Sequence, residues 1–111
     1  MSPKDEVASE TGLKNSIFIA TLRDFDKLVG MGRIIGDKGC FYHIVDIAVT
    51  PSHQGKRLGK LIMSEINKYL DHNIPKSSYV SLIADVPADR LYKKFGFEYS
   101  EPKSVGMAKR Y

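Results

Sequence analysis

The chain has 111 residues, of which 42% are hydrophobic and 27% are charged, and a net charge of +4; these values predict one globular domain over residues 1–111. The single cysteine, Cys40, excludes an internal disulfide and a zinc cluster of cysteines, and we expect no metal site. No apolar run is long enough to cross a bilayer and no charged-then-apolar leader is present, so we expect a cytoplasmic protein without membrane contact.

The first predicted elements are a short helix and a hairpin. Ser-Pro followed by acidic residues favours a helix from Pro3, which Gly12 is expected to end. Apolar and β-branched residues then predict a strand over 16–23, a tight connection, and a returning strand over 28–35.

The third strand is predicted over 41–49, where most residues are apolar, and Pro51 ends it. The strand before it contains Gly30 and Gly32. Glycines weaken an ordinary strand, so this pair indicates a bend or a close approach by another part of the chain.

A helix that begins near Leu58 follows from the spacing of apolar residues. Residues at positions i, i+3, i+4, i+8, i+11 and i+12 are apolar, which predicts one buried face. They are Leu58, Leu61, Ile62, Ile66, Tyr69 and Leu70.

The turn before this helix is basic and contains two glycines. The first backbone N–H groups of a helix lack intrahelical partners, and the helix dipole places about half a positive charge there. Gly55 and Gly59 allow the backbone to approach a ligand, and Lys56, Arg57 and Lys60 add positive charge. This chemistry suits a phosphate or pyrophosphate. The spacing is neither that of a Walker A loop nor that of a dinucleotide fingerprint.

The last part of the chain predicts a strand over 79–84, a helix that begins near Pro87, and two closing strands over 97–100 and 105–111. Gly96 is placed to cap the helix. Four residues of the helix share one face. They are Ala88, Leu91, Tyr92 and Phe95.

Two blocks of this sequence resemble the GNAT acyltransferase superfamily. The first is its acetyl-CoA signature, Gln/Arg-x-x-Gly-x-Gly/Ala: Gln54, Leu58 and Gly59 fall on it, and Arg57 occupies the place of its first glycine. The second is the strand, tyrosine-bearing helix and Gly-Phe exit over 80–97. The chain looks most similar to the small glucosamine-phosphate N-acetyltransferase-like branch.

The resemblance implies an α/β (α+β) fold: a mixed, mostly antiparallel sheet with helices on both faces, splayed between strands 41–49 and 79–84. Family members usually begin with a further strand and helix, and we expect this sequence to start after them. The missing strand would leave the edge at 17–22 exposed, and a homodimer would cover it. The missing helix forms one wall of the acceptor pocket in relatives.

The resemblance also implies direct transfer of an acetyl group from acetyl-CoA to a small-molecule amine. The cofactor would be held by the turn, and main-chain amides at the strand end would polarise the thioester carbonyl. The expected cofactor-binding residues are Ile47, Ala48, Val49, Gln54, Gly55, Lys56, Arg57, Leu58, Gly59 and Lys60.

Tyr92 matches the family's tyrosine that protonates the leaving thiolate, although it would also fit a buried face. Asp46, a carboxylate in an apolar strand, could accept a proton through water, orient the amine or bond to backbone. His43 lies three residues earlier, on the opposite face of a regular strand, so the two should not act as a pair. We expect a negative φ at Arg57, where arginine would only add a cation and Arg57→Gly would weaken CoA binding.

Two other functions fit the same residues. A CoA-binding regulatory module would keep the cleft but lack turnover, and a basic partner-binding domain would have no CoA affinity. The tightest cation group is the turn itself, and aromatic residues do not interleave with it as in a single-strand binding platform, so we expect no nucleic acid partner.

Overall fold

The computed structural model describes residues 6–111, which form one four-stranded sheet and three α-helices. In chain order the elements are α1 (Glu6–Lys14), β1 (Phe18–Asp24), β2 (Lys27–Gly36), β3 (Phe41–Val49), α2 (Leu58–Asn73), β4 (Tyr79–Leu82) and α3 (Asp89–Lys93). A single turn of 3₁₀ helix, Pro51–His53, lies between β3 and α2. None of the described helices is long and apolar enough to span a bilayer.

The sheet has the strand order β1-β2-β3-β4 and is mixed, as predicted. The first three strands pair antiparallel, whereas β3 and β4 are parallel because α2 connects them. Neighbouring β2 residues face opposite sides of a sheet: Arg33 contacts α1, and Ile34 is buried with α2. Helices therefore cover both faces. Within the described sheet β1 is an edge strand, as expected.

The core lies between α2 and the sheet, where Ile34, Tyr42 and Ile44 pack against the buried residues of the helix. Those helix residues are Ile62, Met63, Ile66 and Leu70. The predicted helix face was partly wrong. Leu61 is 47% exposed, whereas Met63 is fully buried. At about 100° per residue, Leu61 points away from the midline of the buried stripe.

The close approach predicted at the strand glycines is confirmed at Gly32. A Cβ atom there would lie 2.8 Å from Ile62 Cγ2 and 3.0 Å from Ile66 Cδ1. Both distances are shorter than ordinary van der Waals contact, so a side chain would push α2 away from the sheet. The glycine lets the helix lie directly on β2.

The predicted end of the first helix was wrong, because α1 continues through Gly12 to Lys14. Tertiary and local bonds hold this last turn: the Gly12 carbonyl accepts from Arg33 Nη1 at 3.0 Å and from Ser16 Oγ at 3.0 Å. The predicted start at Pro3 lies outside the described residues.

The C-terminal predictions had mixed outcomes. Gly96 caps α3 as predicted: its N–H donates to Lys93, and Phe97 N–H donates to Tyr92, the two bonds of a Schellman motif. The predicted closing strands were wrong, because residues 97–111 form no ladder in the described structure. Phe97 packs against the core, but most apolar side chains that follow it are exposed; Met107, for example, is 89% exposed.

Candidate functional site

The sheet opens between β3 and β4, as the sequence predicted. Pairing of the two strands runs from Phe41 opposite Tyr79 to Ile44 opposite Leu82 and then stops. β3 nevertheless continues to Val49. On the other side, Ala48 and Val49 stay paired with β2. The last residues of β3 therefore present the backbone edge that faces β4 without a strand beside it in the described sheet.

A bulge lies at the start of this open stretch. Arg33 of β2 pairs with Val45, but Met31 pairs with Ala48, so β3 holds one extra residue. Asp46 within the bulge has a φ of 58°, in the left-handed region. Its Oδ2 accepts a hydrogen bond from Arg33 Nε at 2.8 Å.

Arg33 joins the bulge to α1. In addition to Asp46, its Nη1 donates to the Gly12 carbonyl and to Ser16 Oγ, both at 3.0 Å. The side chains of Arg33 and Asp46 are only 17% and 28% exposed. This network connects the end of α1 to the strand segment that leads into the opening.

The bulge also corrects our expectation for His43, which assumed a regular strand. Because side chains alternate along a strand, His43 and Val45 lie on the same face of β3. Arg33 is the cross-strand partner of Val45, and Asp46 bonds to Arg33. His43 and Asp46 therefore share that face. They still form no pair with each other. His43 Nδ1 lies 2.8 Å from Ser81 Oγ on β4, whereas Asp46 points to β2.

The turn after β3 is tied to its surroundings by side chains. Gln54 Nε2 donates to the Val49 carbonyl at 3.1 Å, which holds the turn against the strand end. His53 Nε2 lies 2.9 Å from Asp24 Oδ2, and its Nδ1 lies 3.1 Å from Thr50 Oγ1. The hairpin tip and the strand end thus both anchor this turn.

Arg57 is the N-cap residue of α2, and our expectation of a negative φ there was wrong: φ is 62°. A left-handed conformation costs a residue with a side chain about 1–2 kcal/mol. This explains why the family signature has glycine at this place. Leu61 N–H donates to the Arg57 carbonyl at 3.3 Å, so the N–H groups of Gly59 and Lys60 precede the first intrahelical bond.

A cavity of about 530 Å³ opens at the start of α2, and we call it the basic cavity. Arg57, Lys60 and Lys94 supply its charged lining, and no carboxylate is among its lining residues. The remaining lining residues are Val49, His53, Gln54, Gly55, Leu58, Gly59 and Leu91. A ligand can approach the backbone at Gly55, because a Cβ atom there would meet nothing within 4 Å.

The sequence analysis missed three lining residues of this cavity, His53, Leu91 and Lys94, of which Lys94 is the lysine. It follows α3, which reaches the turn through Leu91, whose Cδ2 would lie 3.5 Å from a Cβ atom at Gly59. Lys93 and Lys94 are adjacent in the sequence, so composition could not show which of the two faces the turn. Lys93 instead lies over the Tyr99 ring, 4.7 Å from its centroid.

A second cavity, of about 540 Å³, runs along β4, and we call it the acidic cavity. Its lining includes Asp89, Glu98 and Glu101 but only one lysine, Lys93. Tyr92 also lines it. The pKa of the Tyr92 phenol is raised above 10 by burial and, secondarily, by the charge of Asp85, so the phenol stays protonated at neutral pH.

The structure gathers most of the predicted cofactor residues in one place. Val49, Gln54, Gly55, Arg57, Leu58, Gly59 and Lys60 line the basic cavity. Four predicted site residues are among the lining residues of neither cavity: Asp46, Ile47, Ala48 and Lys56. Among residues 6–111, no group of three His, Cys, Asp or Glu side chains is placed to hold a metal ion.

Comparison with known proteins explains this geometry. The family model of the GNAT acetyltransferase domain matches residues 14–99. This range runs from β1 through α3 and includes α2 and α3, the helices that line the cavities. The chain belongs to the GNAT acetyltransferase family. Members of this family generally use acetyl-CoA and an acceptor substrate.

Individual relatives agree with the family assignment. A probable acetyltransferase of unknown function from Staphylococcus aureus has a crystal structure with a TM-score of 0.94 and 56% identity, covering 100% of this chain and 84% of that chain. An uncharacterized N-acetyltransferase, ycf52, from Pyropia yezoensis is 35% identical over 77% of this chain. Glucosamine-6-phosphate N-acetyltransferase from Arabidopsis thaliana shares the fold, with a TM-score of 0.69 and 21% identity, covering 95% of this chain and 74% of that chain.

The chain is shorter than its curated relatives. It spans 50% of the length of the Pyropia protein and 44% of the length of a soybean protein named histone acetyltransferase TAP1, to which it is 30% identical over 84% of this chain. The GNAT chain described here therefore spans about half the length of the curated relatives it matches.

Proposed function

We propose that this GNAT protein transfers the acetyl group of acetyl-CoA to a primary amine of a small molecule, by direct attack in a ternary complex. The observation that carries the proposal is the basic cavity at the start of α2, which lies at the end of the strand that has lost its β4 neighbour. A phosphate-bearing cosubstrate held there can lie along that open strand edge.

The cavity suits the phosphates of CoA. Arg57, Lys60 and Lys94 provide charge without a competing carboxylate, and the N–H groups at the start of α2 provide donors. The lack of any atom within 4 Å of a Cβ built on Gly55 leaves room for a pyrophosphate against the backbone. Bound acetyl-CoA supplies the acetyl group as an activated thioester.

The chain's own groups supply the remaining steps. Main-chain N–H groups at Ile47 and Val49 act as donors to the carbonyl oxygen as it gains charge. The Ala48 N–H faces β2, because Thr50 N–H donates to the Val29 carbonyl and the N–H groups of a strand alternate in direction. The amine nitrogen bonds to the carbonyl carbon, and the bond from carbon to sulfur breaks. Tyr92, which remains protonated because burial raises the pKa of its phenol, gives its proton to the leaving thiolate.

Of the roles that the sequence suggested for Asp46, that of a proton acceptor is kept as one candidate. Its Oδ2 is engaged by Arg33, and it does not line either cavity. These contacts favour a positioning role, in which the ion pair holds the bulge from which Ile47 to Val49 continue.

The test is release of free thiol from acetyl-CoA in the presence of primary amines, with wild type and Tyr92→Phe compared at matched concentrations. The proposal predicts thiol release that depends on both the amine and Tyr92. Thiol release that is independent of the amine, or absent with every amine while acetyl-CoA binds, would contradict it.

The second candidate is a CoA-binding module without turnover, which one observation favours: β1 is an edge strand in the described sheet, so no further strand lies beside it there. This candidate predicts acetyl-CoA binding with no thiol release. A small-molecule acceptor, a homodimer and a cytoplasmic location are likewise proposals that accompany the first candidate.

A further inference from the structure

His43 occupies a distinct place between the sheet and the acidic cavity. It pairs with Ser81 across the parallel ladder, and the two side chains bond, with 2.8 Å between Nδ1 and Ser81 Oγ. Both residues line the acidic cavity and both are partly buried. Within residues 6–111, no hydrogen bond engages the other ring nitrogen, Nε2.

The same cavity contains Tyr92, the residue proposed to protonate the thiolate. His43 comes from β3 and Tyr92 from α3, so two elements bring two proton-carrying groups to one cavity. Asp46, the other candidate acceptor, is turned toward Arg33 and does not line this cavity. Of the two side chains, His43 is the one with access to an amine bound there.

We propose that His43 is a further catalytic residue, whose Nε2 accepts the proton of the acceptor amine; this rests on the proposed function. The proposal requires that Nδ1–H donates to Ser81 Oγ across this 2.8 Å contact, which leaves the lone pair on Nε2. Ser81 is then a positioning residue that fixes the tautomer.

The protons balance in this scheme. As the amine nitrogen bonds to the acetyl carbon, its proton moves to Nε2 and forms an imidazolium. The bond from carbon to sulfur breaks, and the thiolate takes the proton of Tyr92. Transfer of the imidazolium proton to the tyrosinate, directly or through water, restores both residues, and the net products are an amide and a thiol.

The tautomer can be measured without knowledge of the acceptor. Nitrogen-15 NMR of the wild-type protein with labelled histidine, assigned with His43→Gln, should show neutral His43 protonated at Nδ1. Ser81→Ala should shift the ring toward a mixture of tautomers. A wild-type ring protonated at Nε2 when neutral would overturn the proposal, because that nitrogen could only donate.

Kinetics provide the second test. With acetyl-CoA and the best acceptor among spermidine, glucosamine 6-phosphate and a lysine peptide, His43→Gln should lower kcat about 100-fold or more and remove the acidic limb of the pH profile of kcat/KM. The calorimetric Kd for acetyl-CoA should not change. His72→Gln, which alters an exposed histidine of α2 bonded to the Lys68 carbonyl, is the matched control and should behave as wild type.

Other groups of the acidic cavity can also titrate, so the assignment of His43 as the proton acceptor is compared with a variant of the other candidate, Asp46. The charged or titratable lining residues are Tyr79, Asp89, Tyr92, Lys93, Glu98, Tyr99 and Glu101. If His43→Gln keeps its acidic limb and Asp46→Asn loses it, Asp46 is the acceptor and this inference is wrong. If wild type binds acetyl-CoA but releases no thiol with all three amines, the proposed function fails and the inference falls with it.

Discussion

The two cavities of this protein have nearly the same volume, about 530 and 540 Å³, and opposite charge. The basic cavity has three cationic side chains and no carboxylate, whereas the acidic cavity has three carboxylates and one lysine. α3 contributes to both linings, with Leu91 in one and Tyr92 in the other. One short helix therefore lines both the cavity that we propose for phosphates and the cavity that we propose for the amine, and substitutions can alter each cavity alone.

The largest expected effect separates chemistry from binding. Tyr92→Phe keeps the ring but removes the proton, so kcat should fall about 100-fold or more, while the Kd of acetyl-CoA in the basic cavity stays the same. Thiol-release assays measure kcat, and calorimetry on the same preparation measures the Kd of acetyl-CoA. A tenfold loss of affinity with little change in kcat would show that Tyr92 belongs to the binding site.

The pH dependence of wild type gives a companion check. Burial raises the pKa of Tyr92, and an acid must be protonated to act, so activity should persist through pH 10 and fall only as pH rises through the raised pKa. An alkaline limb well below pH 10 would contradict Tyr92 as the acid, provided that circular dichroism shows a folded protein at that pH.

Gly32→Ala tests the close approach of α2 to the sheet. The added Cβ atom would meet Ile62 and Ile66 of α2, and also Ile47 Cγ1 at 3.1 Å. Overpacking of this kind costs about 1–3 kcal/mol, which urea unfolding would detect. Gly106→Ala is the control, since nothing lies within 4 Å of a Cβ atom there. Equal stability of the two variants would mean that the close approach does not constrain the sheet.

Charge at the basic cavity is tested with the lysine pair that follows Tyr92. Lys94→Ala should weaken acetyl-CoA binding about tenfold, because a charge-assisted contact to phosphate is lost. Lys93→Ala should have little effect on that affinity, since Lys93 lies over Tyr99 on the acidic side. The two variants remove the same charge at adjacent positions. Identical Kd values would show that net charge, and not the basic cavity, controls binding.

The smallest expected effect concerns the N-cap of α2. Arg57→Gly relieves the left-handed conformation and should raise the free energy of unfolding by about 1 kcal/mol, while the loss of a cation weakens acetyl-CoA binding. Stability and affinity should therefore move in opposite directions. Thermal unfolding with and without acetyl-CoA measures both, and a variant less stable than wild type would contradict the strain argument.

The sequence predicted the features that depend on local chemistry and family motifs. The hairpin, the β3–α2 turn and the Gly96 cap are confirmed, because each follows from short patterns of apolar residues, glycine and proline. The opening of the sheet, which the family resemblance implied, is confirmed as well. The sequence did not reveal the bulge at Asp46, which exists only because β2 and β3 pair out of register. The positive φ of Arg57 was missed because residues with a side chain rarely adopt the left-handed region, although the family signature has glycine at this place.

Long-range contacts account for the other failures. α1 continues beyond Gly12 because Arg33, 21 residues away, bonds to its carbonyl. The C-terminal segment has the alternating residues of strands, but its exposed apolar side chains have no partner face in the described structure. Lys94 was missed because the packing of α3 against the turn, not the sequence, selects it over Lys93.

Calorimetric titration of acetyl-CoA into wild type and into the double variant Gly59→Glu with Lys60→Glu tests the central claim most directly. Both changes fall on the lining of the basic cavity, and a Cβ atom at Gly59 meets only Leu91 at ordinary contact distance, so the variant should fold. We predict micromolar binding by wild type and none by the folded variant. Equal binding by both, or none by folded wild type, would contradict the assignment of this cavity to CoA.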